Sequence, residues 1–209
     1  ARTFDPHSSY FSPRNSEEYK IQMSLNYEGI GASLQTVDDY VTIMNLIEGG
    51  PAAAAGTLSV NDRITAVGQG KEGPLTDVIG WRIDDVVQLI RGKGGTVVRL
   101  QVLPVGAAPG SPEKLVEFTR GKVTLEAQAA RKELKIIKRG DREHRIGVIN
   151  VPGFYSDYDA QRAGDENYRS TTRDVRRLIE ELKTEKIDGL VMDLRGNGGG
   201  FLPEAQSLT

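Results

Sequence analysis

Apolar residues recur along this chain with two different periods. Between positions 26 and 104 the runs 30–34, 41–47 and 63–67 are short, rich in β-branched residues and bounded by turn signals, which predicts strands. Asp38-Asp39 predicts a hairpin turn between the first two. Gly50-Pro51 leads into the alanine run 52–55, which predicts a short helix with Pro near its start and Gly56 as its stop. Over 81–91 the period lengthens. Ile83, Val86, Val87 and Ile90 fall at i, i+3, i+4 and i+7, with Asp84, Asp85, Gln88 and Arg91 turned away, which predicts an amphipathic helix. The glycines at 92, 94 and 95 end it. Alternation returns over 96–103, where Val98, Leu100 and Val102 share one face of a predicted strand.

The segment 104–112, PVGAAPGSP, interrupts both periods with Pro and Gly, and predicts a linker over 105–112. Beyond it, 115–118, 123–125, 134–137 and 146–151 are strand-like. The charged stretch 135–145 brackets Gly140-Asp141 and predicts a strand–turn–strand with a solvated tip. Residues 171–186 carry the stripe Val175, Leu178, Ile179 and Leu182, with Thr171 and Asp174 spaced as a capping box. The run 189–194 predicts a buried strand, followed by a glycine loop and a helix over 203–208. Residues 1–25 show no clean period, although Ser16-Glu17-Glu18 can open a short helix. Four parts are expected: a leading segment 1–25, a unit 26–104, a linker 105–112 and a second unit 113–209. The class is α+β in the first unit and α/β in the second.

Composition narrows the chemistry. The 209 residues include no Cys, which excludes disulfides, thiol nucleophiles and Cys-based metal sites. A net charge of −2 gives no general drive toward nucleic acid. No uncharged apolar run approaches the roughly 18 residues of a membrane helix. Two His and no ordered calcium-loop spacing give no metal site, and no cofactor is expected. His7 and His144 are isolated, and the pairs Asp84/Asp85 and Glu180/Glu181 diverge around their helices as solvated faces. The chain begins Ala1-Arg2 and stops at Leu208-Thr209, which suggests a piece of a longer protein.

Two features carry candidate chemistry. The first is Gly29-Ile30-Gly31-Ala32, just ahead of a strand. Glycines flanking an apolar residue let successive N–H groups converge on a carboxylate. If 30–34 is an edge strand beside the helix 81–91, an extra strand can add between them. Its terminal carboxylate would sit on Gly29–Gly31, and its last side chain would enter a pocket of Ile30, Leu34, Val86, Val87 and Ile90. An ordinary turn and an ordinary core stripe are the competing reading. The combination resembles a PDZ domain, a small barrel-like sheet with two helices, over about eighty residues. Gly29-Ile30-Gly31-Ala32 stands where that family has Gly-Φ-Gly-Φ. Gly50-Pro51-Ala52-Ala53, followed by Leu58 and Asn61-Asp62-Arg63-Ile64, resembles the bacterial "GPA…L..GD.I" stretch. Ala32 replaces a larger apolar residue, Asn61 stands where Gly is usual, and the loop 68–80 is long.

The second feature is Arg195-Gly196-Asn197-Gly198-Gly199-Gly200 after an apolar strand. It can cradle a phosphate, form an oxyanion hole at Gly198 or Gly199, or simply turn into a helix. The dinucleotide fingerprint fails at Phe201, and the Lys-Ser/Thr of a P-loop is missing. The segment GLVMDLRGNGGGFLPEAQSL is similar to the core of the C-terminal processing (tail-specific) serine proteases, of the proteobacterial tail-specific type. Asp5-Pro6-His7-Ser8-Ser9-Tyr10 and Val151-Pro152-Gly153-Phe154-Tyr155 resemble two further stretches of that family, in the family's order.

The resemblance implies a PDZ domain followed by the first part of an α/β protease core. It implies polypeptide substrates with free apolar C-termini, a periplasmic or cell-envelope location, and an envelope adaptor as a further partner. It also implies a Ser nucleophile and a Lys base beyond Thr209, so this piece is expected to be inactive alone. None of its eleven serines sits in a G-x-S-x-G elbow. A non-enzymatic PDZ adaptor and a nucleotide-binding α/β protein remain as alternatives.

Overall fold

A computed structural model describes residues 10–209, which form two compact units. The resemblance at Asp5-Pro6-His7 falls largely outside the described residues.

The first unit is Asn26–Thr124. Its strands are β1 (Asn26–Gly29), β2 (Ala32–Val37), β3 (Tyr40–Leu46), β4 (Arg63–Gln69), β5 (Leu75–Asp77), β6 (Val97–Leu103), β7 (Lys114–Thr119) and β8 (Gly121–Thr124), and its helices are α1 (Pro51–Ala55) and α2 (Ile83–Ile90). The main sheet runs β2-β3-β4-β6-β7, with β5 paired to β4, so β2 is an edge strand. The β2–β3 turn places Asp38 and Asp39 at φ 47° and 64°, the left-handed pair that a tight hairpin requires. α1 begins on Pro51 and stops at Gly56, φ 62°, as its sequence predicts. α2 lays Val86 and Ile90 on Ile43, Ile64, Val98 and Leu100 to make the core. β1 and β8 form a separate two-stranded ribbon, with Gly29 opposite Gly121.

The boundary expected at 105–112 is corrected. That segment is a loop inside the first unit, because β7 pairs antiparallel with β6 along six residue pairs and β8 closes on β1. The β1–β8 pairing joins the two ends of the unit, Asn26 with Thr124, so local composition could not reveal it.

The second unit combines the described residues up to Leu25 with Leu125–Thr209. It contains α3 (Pro13–Ser24), β9 (Arg131–Arg139), β10 (Arg142–Asn150), α4 (Tyr158–Arg162), α5 (Thr171–Thr184), β11 (Gly189–Asp193) and α6 (Leu202–Leu208). The β9–β10 hairpin turns at Gly140, φ 61°, and carries the charged tip its sequence predicts. β11 lies parallel to β10, which requires a crossover, and α5 supplies it. α5 buries Val175, Leu178 and Leu182 against Ile149 and Val151. A Cβ on Gly147 would sit 2.9 Å from Leu182, so glycine lets the helix close on β10.

Two local expectations change here. Ser170, not Thr171, caps α5, accepting from the Arg173 N–H at 3.4 Å. The Thr171 hydroxyl instead accepts the Tyr155 N–H at 2.8 Å. β11 is not a buried strand. It is the sheet edge, and Leu190 and Val191 are 40% and 48% exposed. Its apolar run matches a buried parallel strand, but burial depends on what covers the face.

Candidate functional site

In the first unit the loop between β1 and β2 is fixed by its carbonyls. Ile30 O accepts from the Ala52 N–H and Gly31 O from the Ile47 N–H, both at 2.8 Å. Gly31 has φ 79°, and a Cβ there would meet the Gly50 Cα at 3.0 Å, so only glycine fits. With one carbonyl turned to the start of α1 and the other to the residue just past β3, the loop leaves the N–H groups of Ile30 and Gly31 without an acceptor among the described residues. That is the polarity a carboxylate needs.

The walls of the groove are β2, an unpaired sheet edge, and α2 packed beside it. Ala32 and Leu34 on β2 are half-buried and rest on the core. Val87 on α2 is half-buried too. Ile30 and Val86 differ from the expectation. They are 2% and 0% exposed, so they back the groove from the core and have no surface to offer a peptide. Ile90, 4% exposed, belongs with them. The sequence reading missed Ile83, which is half-buried, packs on the same core and lies one turn before Val87. The i, i+4 spacing of Ile83 and Val87 was the available signal. Beside the loop, the Arg91 guanidinium lies over the Tyr27 ring at 5.0 Å. Burial pushes the Tyr27 hydroxyl above its ordinary pKa, with Arg91 opposing.

In the second unit the glycine loop follows β11. Asp193 opens it. Its carboxylate accepts from Arg195 Nε at 2.9 Å and Nη2 at 2.7 Å, and from the Arg195 N–H at 3.1 Å. These bonds hold the Asp193 carboxyl down at about 2. Asn197 then ties the turn to the core, donating from Nδ2 to Val151 O at 2.9 Å. Its Oδ1 accepts the Gly199 N–H at 2.8 Å. The loop zips against 152–154: the Phe154 N–H donates to Gly199 O at 2.8 Å, and the Phe201 N–H to Phe154 O at 2.7 Å. Gly200, φ 137°, lies so close that a Cβ would stand 2.1 Å from Phe154 O.

Of the two expected oxyanion donors, Gly199 is therefore spent on Asn197, and Gly198 makes a long 3.4 Å bond to Pro152 O. The Gly200 N–H is the one with no acceptor among the described residues. Sequence could not rank these three glycines, because the ranking depends on where Asn197 and Phe154 point.

All three glycines line an open cleft of about 710 Å³, with Met23, Arg131, Asn150 and Phe154. The cleft lies past the carboxyl end of β10, where open α/β sheets place ligands. Among the described residues, no serine or lysine lines it. Its floor is braced by Tyr155, whose hydroxyl donates to Asp174 Oδ2 at 2.7 Å and accepts the Ala130 N–H at 3.0 Å. Burial and the Asp174 bond push the Tyr155 hydroxyl well above its ordinary pKa. Arg169 grips Glu126 with two nitrogens and Asp174 with a third, and these bonds raise its pKa further. His144 lies away from the cleft, on β10 opposite Ile137. No helix among the described residues is long and apolar enough to cross a membrane.

Comparison with known proteins finds two family models along the chain. Residues 18–103 match the PDZ domain model, and residues 145–209 match that of peptidase family S41. The tail-specific protease of Haemophilus influenzae is 38% identical over 209 residues, which is 100% of this chain and 27% of that protein. The carboxy-terminal processing protease CtpA of Bacillus subtilis is 27% identical over 205 residues, 98% of this chain and 37% of its own length. A solved PDZ domain of a Vibrio cholerae carboxy-terminal protease, in complex with peptide, is 48% identical over 48% of this chain and 100% of its own, with TM-score 0.45. The chain thus spans 27% and 37% of the two curated relatives. None of these matches favours the adaptor or the nucleotide-binding alternative. With a PDZ match followed by a family S41 match, the chain is similar along its whole length to tail-specific and carboxy-terminal processing proteases.

Proposed function

We propose that this chain supplies the substrate-recognition unit and part of the active-site scaffold of a serine endopeptidase that selects polypeptides by their C-termini. The observation that carries this reading is the unpaired edge of β2 beside α2, closed at one end by a loop with two unspent N–H groups. A peptide adds to that edge by main-chain hydrogen bonds and places its carboxylate on Ile30 and Gly31. Its apolar last side chain meets Ala32, Leu34, Ile83 and Val87. In the second unit, the unspent Gly200 N–H lies on a residue that lines the cleft, where it would stabilise a tetrahedral oxyanion, and Gly198 could join it only by giving up its long bond to Pro152 O. The Ser nucleophile and the Lys base come from sequence that this chain does not bring to the cleft.

The test is binding of a short fluorescein-labelled peptide ending in Leu-Val, as free acid and as C-terminal amide. The acid binds and the amide binds at least about tenfold more weakly, the equivalent of one lost charge-assisted contact. Equal binding of the two would sink the carboxylate loop. This 209-residue chain alone is expected to leave a model substrate uncut. We place the parent protein in the periplasm or cell envelope, with an envelope adaptor as a second class of partner. Both rest on the family likeness and are checked by cell fractionation and by co-purification from the envelope.

A further inference from the structure

One buried cation lies outside both sites. Arg120, between β7 and β8, is 4% exposed. Its guanidinium has five N–H donors, and each has an acceptor. Nε donates to Ile90 O at 2.8 Å, and Nη1 to Thr96 Oγ1 at 2.9 Å and Val97 O at 3.2 Å. Nη2 donates to Gln69 Oε1 at 2.7 Å and Leu89 O at 2.9 Å. Every acceptor is neutral. The compensating charge is the negative end of α2, because Leu89 and Ile90 are the last residues of that helix to present carbonyls without a helical partner. α2 has no basic residue in its own last turn. It is eight residues long, too short to hold its position without outside contacts.

The same residue reaches the other side of the groove through its main chain. Arg120 N–H donates to Thr96 O, and Arg120 O accepts from the Gly95 N–H, both at 2.8 Å. The next residue, Gly121, is paired with Gly29, where the carboxylate loop begins. Gly92, just past α2, donates its N–H to Glu28 O at 3.4 Å, and a Cβ on Gly92 would sit 3.1 Å from Arg120 Nε. The end of α2, the β1–β8 ribbon and the guanidinium therefore meet at one point.

We propose that Arg120 is the positioning residue of the peptide groove, setting the spacing between the end of α2 and the Gly29–Gly31 loop. The inference rests on the peptide-binding reading above. Lysine cannot replace Arg120, since three donors radiating from one nitrogen cannot reach carbonyls on α2 and β6 together with Gln69. The spacing matters most for the terminal carboxylate, because that group must meet two N–H donors at once, whereas side chains in the pocket tolerate small shifts.

The test uses the full chain and the Leu-Val peptide as acid and as amide, read by fluorescence anisotropy. Arg120→Lys lowers affinity for the acid about tenfold, the effect of about one lost charged hydrogen bond, and leaves the amide within about twofold. Unchanged acid binding, or an equal fall for acid and amide, overturns the proposal. If the parent chain itself does not distinguish acid from amide, the carboxylate-loop reading fails, and this inference with it. If Arg120→Lys does not fold, Gln69→Leu decides. Gln69 is exposed, accepts from Arg120 and donates to Leu89 O at 2.8 Å, so its removal loosens the clamp without opening the core. A selective loss for the acid of about threefold supports the proposal, and no loss refutes it.

Discussion

Gly200→Ala gives the sharpest test of the glycine loop. The new Cβ would stand 2.1 Å from Phe154 O, about 1 Å inside any tolerated contact. Neither partner is a side chain that can rotate away, so the backbone of 152–154 must separate from 199–201. Two hydrogen bonds lie in that contact, Phe154 N–H to Gly199 O at 2.8 Å and Phe201 N–H to Phe154 O at 2.7 Å. Losing them costs about 1 kcal/mol each. Alanine at φ 137° adds about 1–3 kcal/mol of backbone strain. The expected destabilisation of the second unit is therefore roughly 3–5 kcal/mol. The chain contains its own control. Its single tryptophan, Trp81, lies in the first unit, so tryptophan fluorescence follows that unit while far-UV circular dichroism follows both. In a urea titration the substitution lowers the dichroism transition of the second unit and leaves the Trp81 transition in place. On the proposed oxyanion role, displacing this N–H group in the whole protein lowers kcat by about 10²–10³. A dichroism transition within about 0.5 kcal/mol of the parent chain, the scatter of ordinary surface substitutions, would refute the close approach at Phe154.

Two further outcomes follow from the second unit. Tyr155→Phe removes an acceptor from the buried Ala130 N–H and a donor from Asp174, which keeps Arg169 at 3.1 Å; it destabilises this unit by about 1–3 kcal/mol, and an unchanged urea midpoint would contradict the bracing role. Asp193, held down at about 2 by Arg195, contributes stability that is fully present above its unfolded pKa near ~4 and is lost as pH falls through about 2. The urea-midpoint gap between the parent chain and Asp193→Asn should therefore close between those pH values, and a gap independent of pH would remove Asp193 as its source.

The exposed strand β11 also bears on behaviour in solution. Leu190, Val191 and Leu194 are 40%, 48% and 48% exposed along one sheet edge. An uncovered apolar edge is a template for self-association, so this chain is expected to be less soluble than its first unit alone.

Much of the molecule was legible in its sequence, because short-range rules wrote it. Asp38-Asp39 needed no partner to specify a tight turn, nor did Pro51 and Gly56 to bracket a helix. The alternation at Val98, Leu100 and Val102 and the stripe at Val175, Leu178 and Leu182 marked which faces turn inward. The Gly29–Gly31 and Gly198–Gly200 motifs located both candidate sites. Tertiary structure alone decided what those motifs have left to offer. Ile30 and Val86 matched a pocket pattern, yet packing against Ile43 and Leu100 consumed their surface. Gly199 matched an oxyanion donor, yet the Asn197 side chain took its N–H and left that of Gly200. The domain boundary moved because β8 pairs with β1 across the whole first unit, and a cation at Arg120 became a helix clamp for the same reason. Periodicity and turn chemistry act over a few residues, whereas the partner of a given N–H or the cover of a given face is set by residues far along the chain.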